Sequence, residues 1–221
     1  NVSSTVETYD VGGSDFRSFD TSDPGNNRYN VQTLPNLKVL SLSGNYYLTG
    51  AINIASNVIQ SINLHNSGLQ IPTGIIGSST LTTFEGSYMR SAGSFFTGTT
   101  YKFENCSALS SINLSRAGLS GAFPIFSNIN LSSLNIKYTS IVGGTIDGDT
   151  SNSIPKDTFS LATELRNVNI LSSSLLTTPI HPDALSPLKE LTTFQYYSYG
   201  RTGGPLPNFG NNTKLVNLYL S

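Results

Sequence analysis

The stretch Leu37-Lys-Val-Leu40-Ser-Leu42-Ser-Gly-Asn45 sets three leucines at the spacing apolar-x-x-apolar-x-apolar and follows them with an asparagine. This six-residue pattern, called the hexad below, occurs eight times along the 221 residues. The hexads occupy residues 37–42, 59–64, 81–86, 109–114, 131–136, 165–170, 191–196 and 215–220. Of their 24 apolar positions, 23 carry an apolar side chain, and Gly86 is the exception. Self-similarity on this scale predicts a repeat architecture.

The spacing within and between hexads indicates how the units stack. Successive hexads begin 22, 22, 28, 22, 34, 26 and 24 residues apart. Alternation in the second half of each hexad places its apolar side chains on one face of a short strand and the intervening residue on the other face. A single unit cannot bury its apolar edge, so neighbouring units stack and share one core. The pattern therefore predicts a solenoid with a parallel β-sheet.

The hexads resemble the leucine-rich repeat, whose unit reads L-x-x-L-x-L-x-x-N-x-L over about 20 to 29 residues. The first unit keeps Asn45, and Ala117-Gly-Leu119-Ser-Gly121-Ala-Phe123-Pro124 is similar to the plant-type variant. The segment Phe103-Glu-Asn-Cys106-Ser-Ala-Leu109 is similar to the Treponema-type variant. The resemblance covers residues 34–221. It implies an α/β solenoid, a right-handed coil with the parallel sheet on its concave face and returns made mostly of loops and short helices.

The chain departs from the family pattern after the hexads. The asparagine position reads Asn45, Ser67, Met89, Ala117, Thr139, Ser173 and Tyr199 in successive units. Only one of these seven residues is asparagine, so we expect the usual ladder of buried amides to be largely absent and the coil to be uneven. The last unit stops within its repeat, which suggests a segment of a longer chain.

Three stretches lie outside the regular pattern. Residues 1–33 lack the hexads and carry five acidic residues against two arginines, so we interpret them as an N-terminal cap or a linker. Residues 155–165 start with proline and space their apolar residues three to four apart, which predicts a short helix. Asp147-Gly-Asp149 resembles the start of a calcium loop, but Asn152 and Thr158 replace the expected Gly and Glu, so we expect no bound metal.

The exposed residues of adjacent strands line up as rows about 4.8 Å apart across the sheet. The row between the last two apolar positions of each hexad, called the central row below, reads Ser41, Asn63, Glu85, Asn113, Asn135, Asn169, Gln195 and Tyr219. The row before it is Val39, Ser61, Thr83, Ser111, Ser133, Asn167, Thr193 and Asn217. The row after it is Ser43, His65, Ser87, Ser115, Lys137, Leu171, Tyr197 and Ser221.

Two interpretations compete for this surface. Stacked amides can bond to one another along the sheet as a structural ladder. Alternatively, the same groups can meet the hydroxyls of a glycan or a polar peptide, beside tyrosines that suit a sugar or a protein hot spot. The tyrosines could instead pack against a further unit. The candidate ligand-binding residues are Asn113, Asn135, Asn169, Gln195, Tyr197, Tyr199 and Tyr219.

Composition and the reactive residues argue against other classes. A net charge of −1 gives no basic cluster for nucleic acid, and no apolar run reaches the length of a membrane span. About four units separate His65 from His181, and Glu85 is the only carboxylate in the three rows, so no catalytic pair is evident. Cys106 precedes a strand and is expected to be a core thiol. We therefore expect neither an enzyme nor a cofactor.

The sequence thus predicts a non-catalytic recognition or adhesion module. By resemblance, its concave face would bind a protein or glycan at a cell or virion surface. The alternative is a structural spacer or decoration domain of a surface fibre or virion. Low charge and the abundance of Ser, Thr and Asn, together about a third of the chain, favour an extracellular, cell-surface or virion location.

Overall fold

The fold is a parallel β-solenoid built from short strands. The computed structural model describes residues 5–13, 34–51, 56–70, 78–89, 103, 105–117, 120–121, 126, 128, 130–141, 154–172, 180–198 and 206–221. The strands are β1 (Thr8–Asp10), β2 (Val39–Ser41), β3 (Thr49–Ala51), β4 (Ser61–Asn63), β5 (Gly68–Gln70), β6 (Thr83–Glu85), β7 (Ser111–Asn113), β8 (Ser120–Gly121), β9 (Ser133–Ile141), β10 (Asn167–Ser172), β11 (Thr193–Ser198) and β12 (Asn217–Leu220).

The eight hexads form neighbouring strands in sequence order. The main sheet runs β1-β2-β4-β6-β7-β9-β10-β11-β12, and every pair in it is parallel. The register pairs equivalent hexad positions, as in Leu40 with Ile62 and Val168 with Phe194. The predicted parallel sheet is confirmed, and the hexad residues between the core positions share the outer face of that sheet.

The main sheet also contains a strand ahead of the first hexad. Strand β1 pairs with β2, with Tyr9 opposite Leu40. Val6, Tyr9 and Val11 repeat the apolar-x-x-apolar-x-apolar spacing and pack against the core. Part of the stretch 1–33, interpreted above as a cap or linker, therefore continues the sheet by one coil.

Two short strand pairs lie beyond the main sheet. Strand β3 pairs with β5, and β8 pairs with the C-terminal end of β9, both in parallel. Each of β3, β5 and β8 follows a hexad of the main sheet within the same unit. Ser120 and Gly121 of the plant-type signature form β8.

One core runs along the coil and contains the apolar positions of the first seven hexads, whereas in the last hexad Leu215 and Leu220 are partly buried and Leu218 is 44% exposed. Gly86 fits because Phe84 and Leu114 occupy the space where its side chain would point. The ring of Phe84 also packs against Phe103, with centroids 5.2 Å apart. A large residue in one hexad position thus replaces the side chain that is missing from another.

Four of the eight hexads have a buried polar side chain three residues before them. This position is buried throughout, at Leu34, Ser56, Ser78, Cys106, Asn128, Ala162, Leu188 and Asn212. Asn212 donates to the carbonyls of Leu185 and Leu188 at 2.9 and 2.7 Å, which belong to the preceding coil. Ser78 donates in the same way to Ile59 at 2.8 Å. Buried side chains in the turn that precedes the hexad, called the entry turn below, therefore bridge successive coils. The asparagine position after the hexad is mostly occupied by other residues.

Hydroxyl groups at the entry to the strands join the same coils at the surface. The side chains of Thr82, Ser110 and Ser132 each donate to a backbone carbonyl of the preceding coil, at 2.8 to 3.0 Å. Thr192 repeats the bond with the carbonyl of Arg166 at 3.0 Å. These bonds give part of the Ser and Thr content a structural role.

The helix expected over residues 155–165 is wrong. This segment is a series of turns in which the N–H groups of Thr158, Ser160, Ala162 and Leu165 each donate to the carbonyl three residues earlier. Its buried residues Phe159 and Ala162 face the core, so the apolar spacing reflects turn packing. No helix occurs in the described part of the chain, and the α/β assignment is replaced there by strands joined by turns and loops.

The strands leave the sheet in two ways. In the first five coils, counted from the one that contains β1, the second residue after the last apolar position of the strand pattern adopts a left-handed conformation, with φ between 54° and 74°. These residues are Gly13, Gly44, Asn66, Tyr88 and Arg116. The later strands β9, β10 and β11 continue in the sheet for six or more residues, with one register shift between β9 and β10 at Leu171/Ser172. The early coils therefore turn sharply out of the sheet and the later ones extend it.

Candidate binding surface

The register places the sequence-predicted residues in one row. Asn113 lies opposite Asn135, Asn135 opposite Asn169, Asn169 opposite Gln195, and Gln195 opposite Tyr219. Tyr197 lies two residues after Gln195 on the same face of β11. The structure therefore brings six of the seven candidates together, whereas Tyr199 lies outside the described residues.

In the early coils the central row is occupied by internal hydrogen bonds. The side-chain oxygens of Asn63, Glu85 and Asn113 accept the N–H of the residue two places later, at 3.1, 2.9 and 3.2 Å. Asp10 does the same for Gly12, and this hydrogen bond, with a further one from Ser41, lowers the pKa of the Asp10 carboxyl. These side chains serve the sharp left-handed turn that follows them.

One hydrogen bond connects two members of the central row. The Asn113 amide nitrogen donates to Glu85 at 2.8 Å. Both ends of the Asn113 side chain are therefore engaged. The amide ladder considered above is limited to this bond among the described residues.

In the later coils the same row has no such partners. The side chains of Asn135, Asn169, Gln195, Tyr197 and Tyr219, called the C-terminal patch below, make no hydrogen bond to any described residue. The physical cause lies in strand length. Leu171, two residues after Asn169, pairs with Lys137 and Tyr197 in the extended sheet. Its backbone therefore belongs to the parallel strand pairing and needs no hydrogen bond from the Asn169 side chain.

The exposure of the patch differs among its members. Asn135, Asn169, Gln195 and Tyr197 are half-buried, and Tyr219 is 46% exposed. The side-chain oxygens of Asn135 and Asn169 are shielded from solvent and have no partner in the described structure. The amides therefore have hydrogen-bonding capacity that no described residue uses.

The patch is electrically neutral except at one corner. On strands β9 to β12 the three outward rows hold twelve residues, and Lys137 is the only charged one. Leu171 is the only aliphatic residue among them, and it is buried. The surface is thus made of amides, hydroxyls and two tyrosine rings.

The other reactive residues are dispersed. Cys106 is buried in the entry turn, as expected of a core thiol. His65 bonds through Nδ1 to Ser87 Oγ at 2.7 Å, whereas His181 lies in a turn before β11 and accepts the N–H of Asp183. In the described residues no three of His, Cys, Asp and Glu come together as a metal site. The part of the chain that the structure describes also has no helix suited to crossing a bilayer.

A second cluster was missed by sequence reasoning. The Tyr88 ring, 43% exposed, makes an edge contact with His65 at 5.4 Å between centroids. The Arg116 guanidinium lies 5.2 Å from the Tyr88 centroid. Tyr88 and Arg116 occupy the left-handed position in successive coils, and that conformation favours glycine. The spacing from the hexad marks this position, but nothing in the sequence signals its conformation.

Comparisons with known proteins leave the family open. No model of a known protein family matches the chain, and no curated protein matches its sequence. Among solved structures, an internalin from Listeria monocytogenes is 12% identical, with 99% of this chain and 83% of that chain covered and a TM-score of 0.25.

Proposed function

We propose that this chain is a non-catalytic recognition module that binds a macromolecule through the C-terminal patch. The observation that carries the proposal is the contrast along one row of the sheet. In the early coils the side chains of that row bond to the chain itself, and in the later coils they bond to no residue that the structure describes. A partner can bond to the later side chains without first breaking internal hydrogen bonds, which lowers the free-energy cost of binding.

The surroundings of the patch support a surface role. Strands β9 to β12 hold its backbone in a continuous ladder, so little ordering is required when a partner binds. Amides beside tyrosine rings supply both hydrogen-bonding groups and contact area. We also propose that the chain is a leucine-rich repeat protein displayed at a cell or particle surface, where a neutral, hydroxyl-rich exterior suits an adhesion module.

An array experiment tests this function. The labelled chain is applied to an array of purified surface proteins and glycans, together with the double variant Gln195→Ala/Tyr197→Ala. Tyr47→Ala serves as the control because Tyr47 is exposed but lies in the turn after β2, away from the patch. We expect the control to bind as the unchanged chain does and the double variant to lose binding.

Two results would contradict the proposal. Equal binding by the double variant would move the site elsewhere. No binding to any protein or glycan by the unchanged chain would favour the structural spacer instead. Circular dichroism and thermal unfolding of each variant establish that the fold is retained.

A further inference from the structure

We propose that the ligand of the C-terminal patch is a neutral glycan whose sugar units lie across strands β9 to β12. This inference rests on the proposed function and names the chemical class of the partner. It follows from three properties of the patch: its hydrogen-bonding groups, its aromatic rings and its lack of charged and aliphatic residues.

The hydrogen-bonding groups match hydroxyls. The Gln195 amide can both donate and accept, as a sugar hydroxyl can. At Asn135 and Asn169 the side-chain oxygen is shielded, so the amide nitrogen is the group expected to meet the ligand and donate to a hydroxyl or ring oxygen. The row repeats about every 4.8 Å across the sheet, so one amide follows another at a separation comparable to the width of one sugar ring.

The tyrosines offer ring faces on two sides of Gln195. Tyr219 is its neighbour across the strands, and Tyr197 lies two residues further along β11 on the same face. Neither tyrosine ring contacts another aromatic ring of the described residues. The C–H face of a pyranose can pack on such a ring while its hydroxyls reach the adjacent amides, an arrangement that pairs an apolar surface with polar groups of fixed position.

The same surface fits a protein partner less well. The buried centre of a protein interface is more apolar than the rest of a surface, and its strongest contacts come from Trp, Tyr and Arg in well-packed pockets. Leu171, the aliphatic residue of the three outward rows on these strands, is already buried against the chain, and the exposed Val216 and Leu218 lie outside those rows, just before and on β12. An acidic ligand would have only Lys137 as an outward cation on these four strands. A polar, uncharged ligand rich in hydroxyls meets the groups that are present.

Calorimetric titration tests the inference with defined probes. The probes are soluble neutral oligosaccharides of glucose, galactose, mannose and N-acetylglucosamine, with uronate-containing and sialylated oligosaccharides alongside. We expect at least one neutral oligosaccharide to bind. Tyr197→Ala should weaken that binding by about tenfold or more and Tyr197→Phe by less than about twofold, because phenylalanine keeps the ring face. Asn169→Leu should weaken it by about fivefold, as one lost hydrogen bond would.

The controls separate binding from folding. Tyr47→Ala should bind as the unchanged chain does, because Tyr47 lies outside the patch. If Asn169→Leu fails to fold, Asn169→Ser replaces it, since serine keeps a small polar side chain but cannot reach as far. Thermal unfolding is measured for each variant before titration.

The outcomes distinguish this inference from the proposed function. If no neutral oligosaccharide binds but a protein on the array binds through the patch, the glycan assignment is overturned and the recognition function stands. Binding of acidic oligosaccharides alone also overturns it. If a neutral oligosaccharide binds the patch variants as tightly as the unchanged chain, both the ligand class and the site are overturned. Failure of every probe on the array and in titration overturns both as well.

Discussion

A Cβ atom added to Gly86 would lie 2.8 Å from Cε1 of Phe84, closer than two carbon atoms can approach without movement. Gly86 occupies the one core position of the eight hexads that has no apolar side chain. Phe84 lies two residues earlier on the same face of the chain and fills that space. The two residues therefore act as a complementary pair within the core.

Gly86→Ala is expected to destabilise the fold. The new methyl group would displace the Phe84 ring in a close-packed core, which costs about 1 to 3 kcal/mol. Guanidinium unfolding of Gly86→Ala measures this loss. Combining it with Phe84→Leu should recover part of the free energy, because the smaller side chain makes room for the methyl group. If the two losses simply add, the residues are not coupled.

The left-handed position at Tyr88 predicts an unusual preference among substitutions. Tyr88→Gly and Tyr88→Val both remove the contacts with His65 and Arg116. At φ 59°, valine has the steric strain of a side chain in the left-handed region, and its β-branching adds to that strain, whereas glycine has none. We expect the valine variant to be less stable than the glycine variant by about 1 to 2 kcal/mol in urea unfolding. Equal stability would mean that the turn is not left-handed in solution.

Asn128 and Asn130 form a matched pair for testing the bridges between coils. Asn128 is buried and donates to the carbonyls of Phe103 and Cys106 at 2.8 and 3.1 Å. Asn130 is exposed and donates to Ser107 at 2.7 Å. Asn128→Ala removes two buried hydrogen bonds to carbonyls that each keep one backbone N–H donor, and should cost about 2 kcal/mol, whereas Asn130→Ala should cost about 0.5 kcal/mol. Thermal or denaturant unfolding compares them, and a larger effect at Asn130 would contradict the burial of the bridge.

The Glu190 carboxyl is expected to titrate below its ordinary value of 4.5. The hydrogen bond from Lys214 lowers its pKa most, partial desolvation opposes this to a lesser extent, and the positive charges of Lys214 and Arg166 lower the pKa slightly further. A lowered pKa in the folded chain contributes stability at neutral pH, which is lost as the pH falls through the folded-state value. Carbon-detected NMR should show the pKa rise in Lys214→Met. An unchanged titration would show that the pair does not form in solution.

The hexad spacing is sufficient to predict the strands and their order because it determines which side chains face a shared core. Gly86 belongs to a hexad although it is not apolar, and the structure confirms its place in the core. Val6, Tyr9 and Val11 follow the same spacing and could have been recognised, but their surroundings look acidic and irregular. The helix expected over residues 155–165 is wrong because apolar residues three apart suit consecutive turns as well as a helix.

The candidate site can be predicted only in part from the sequence. The outward row follows from strand alternation, so the hexad spacing alone places Asn135, Asn169, Gln195 and Tyr219 together. What separates them from Asn113 is the path of the chain after the strand. Asn113 caps a sharp turn, whereas β10 continues straight beyond Asn169. That difference depends on backbone conformation, which the spacing of apolar residues does not encode.

Cysteine cross-linking tests the central claim, that successive hexads are parallel strands aligned position by position. In Asn169→Cys/Gln195→Cys, the two Cα atoms should lie about 4.8 Å apart, within reach of a disulfide. In Asn169→Cys/Tyr197→Cys, the pair is offset by two residues and lies about 8 Å apart, beyond that reach. Under mild oxidation, mass spectrometry should find the first cross-link in the folded chain and not the second. Absence of the first, or equal formation of both, would contradict the register and with it the C-terminal patch.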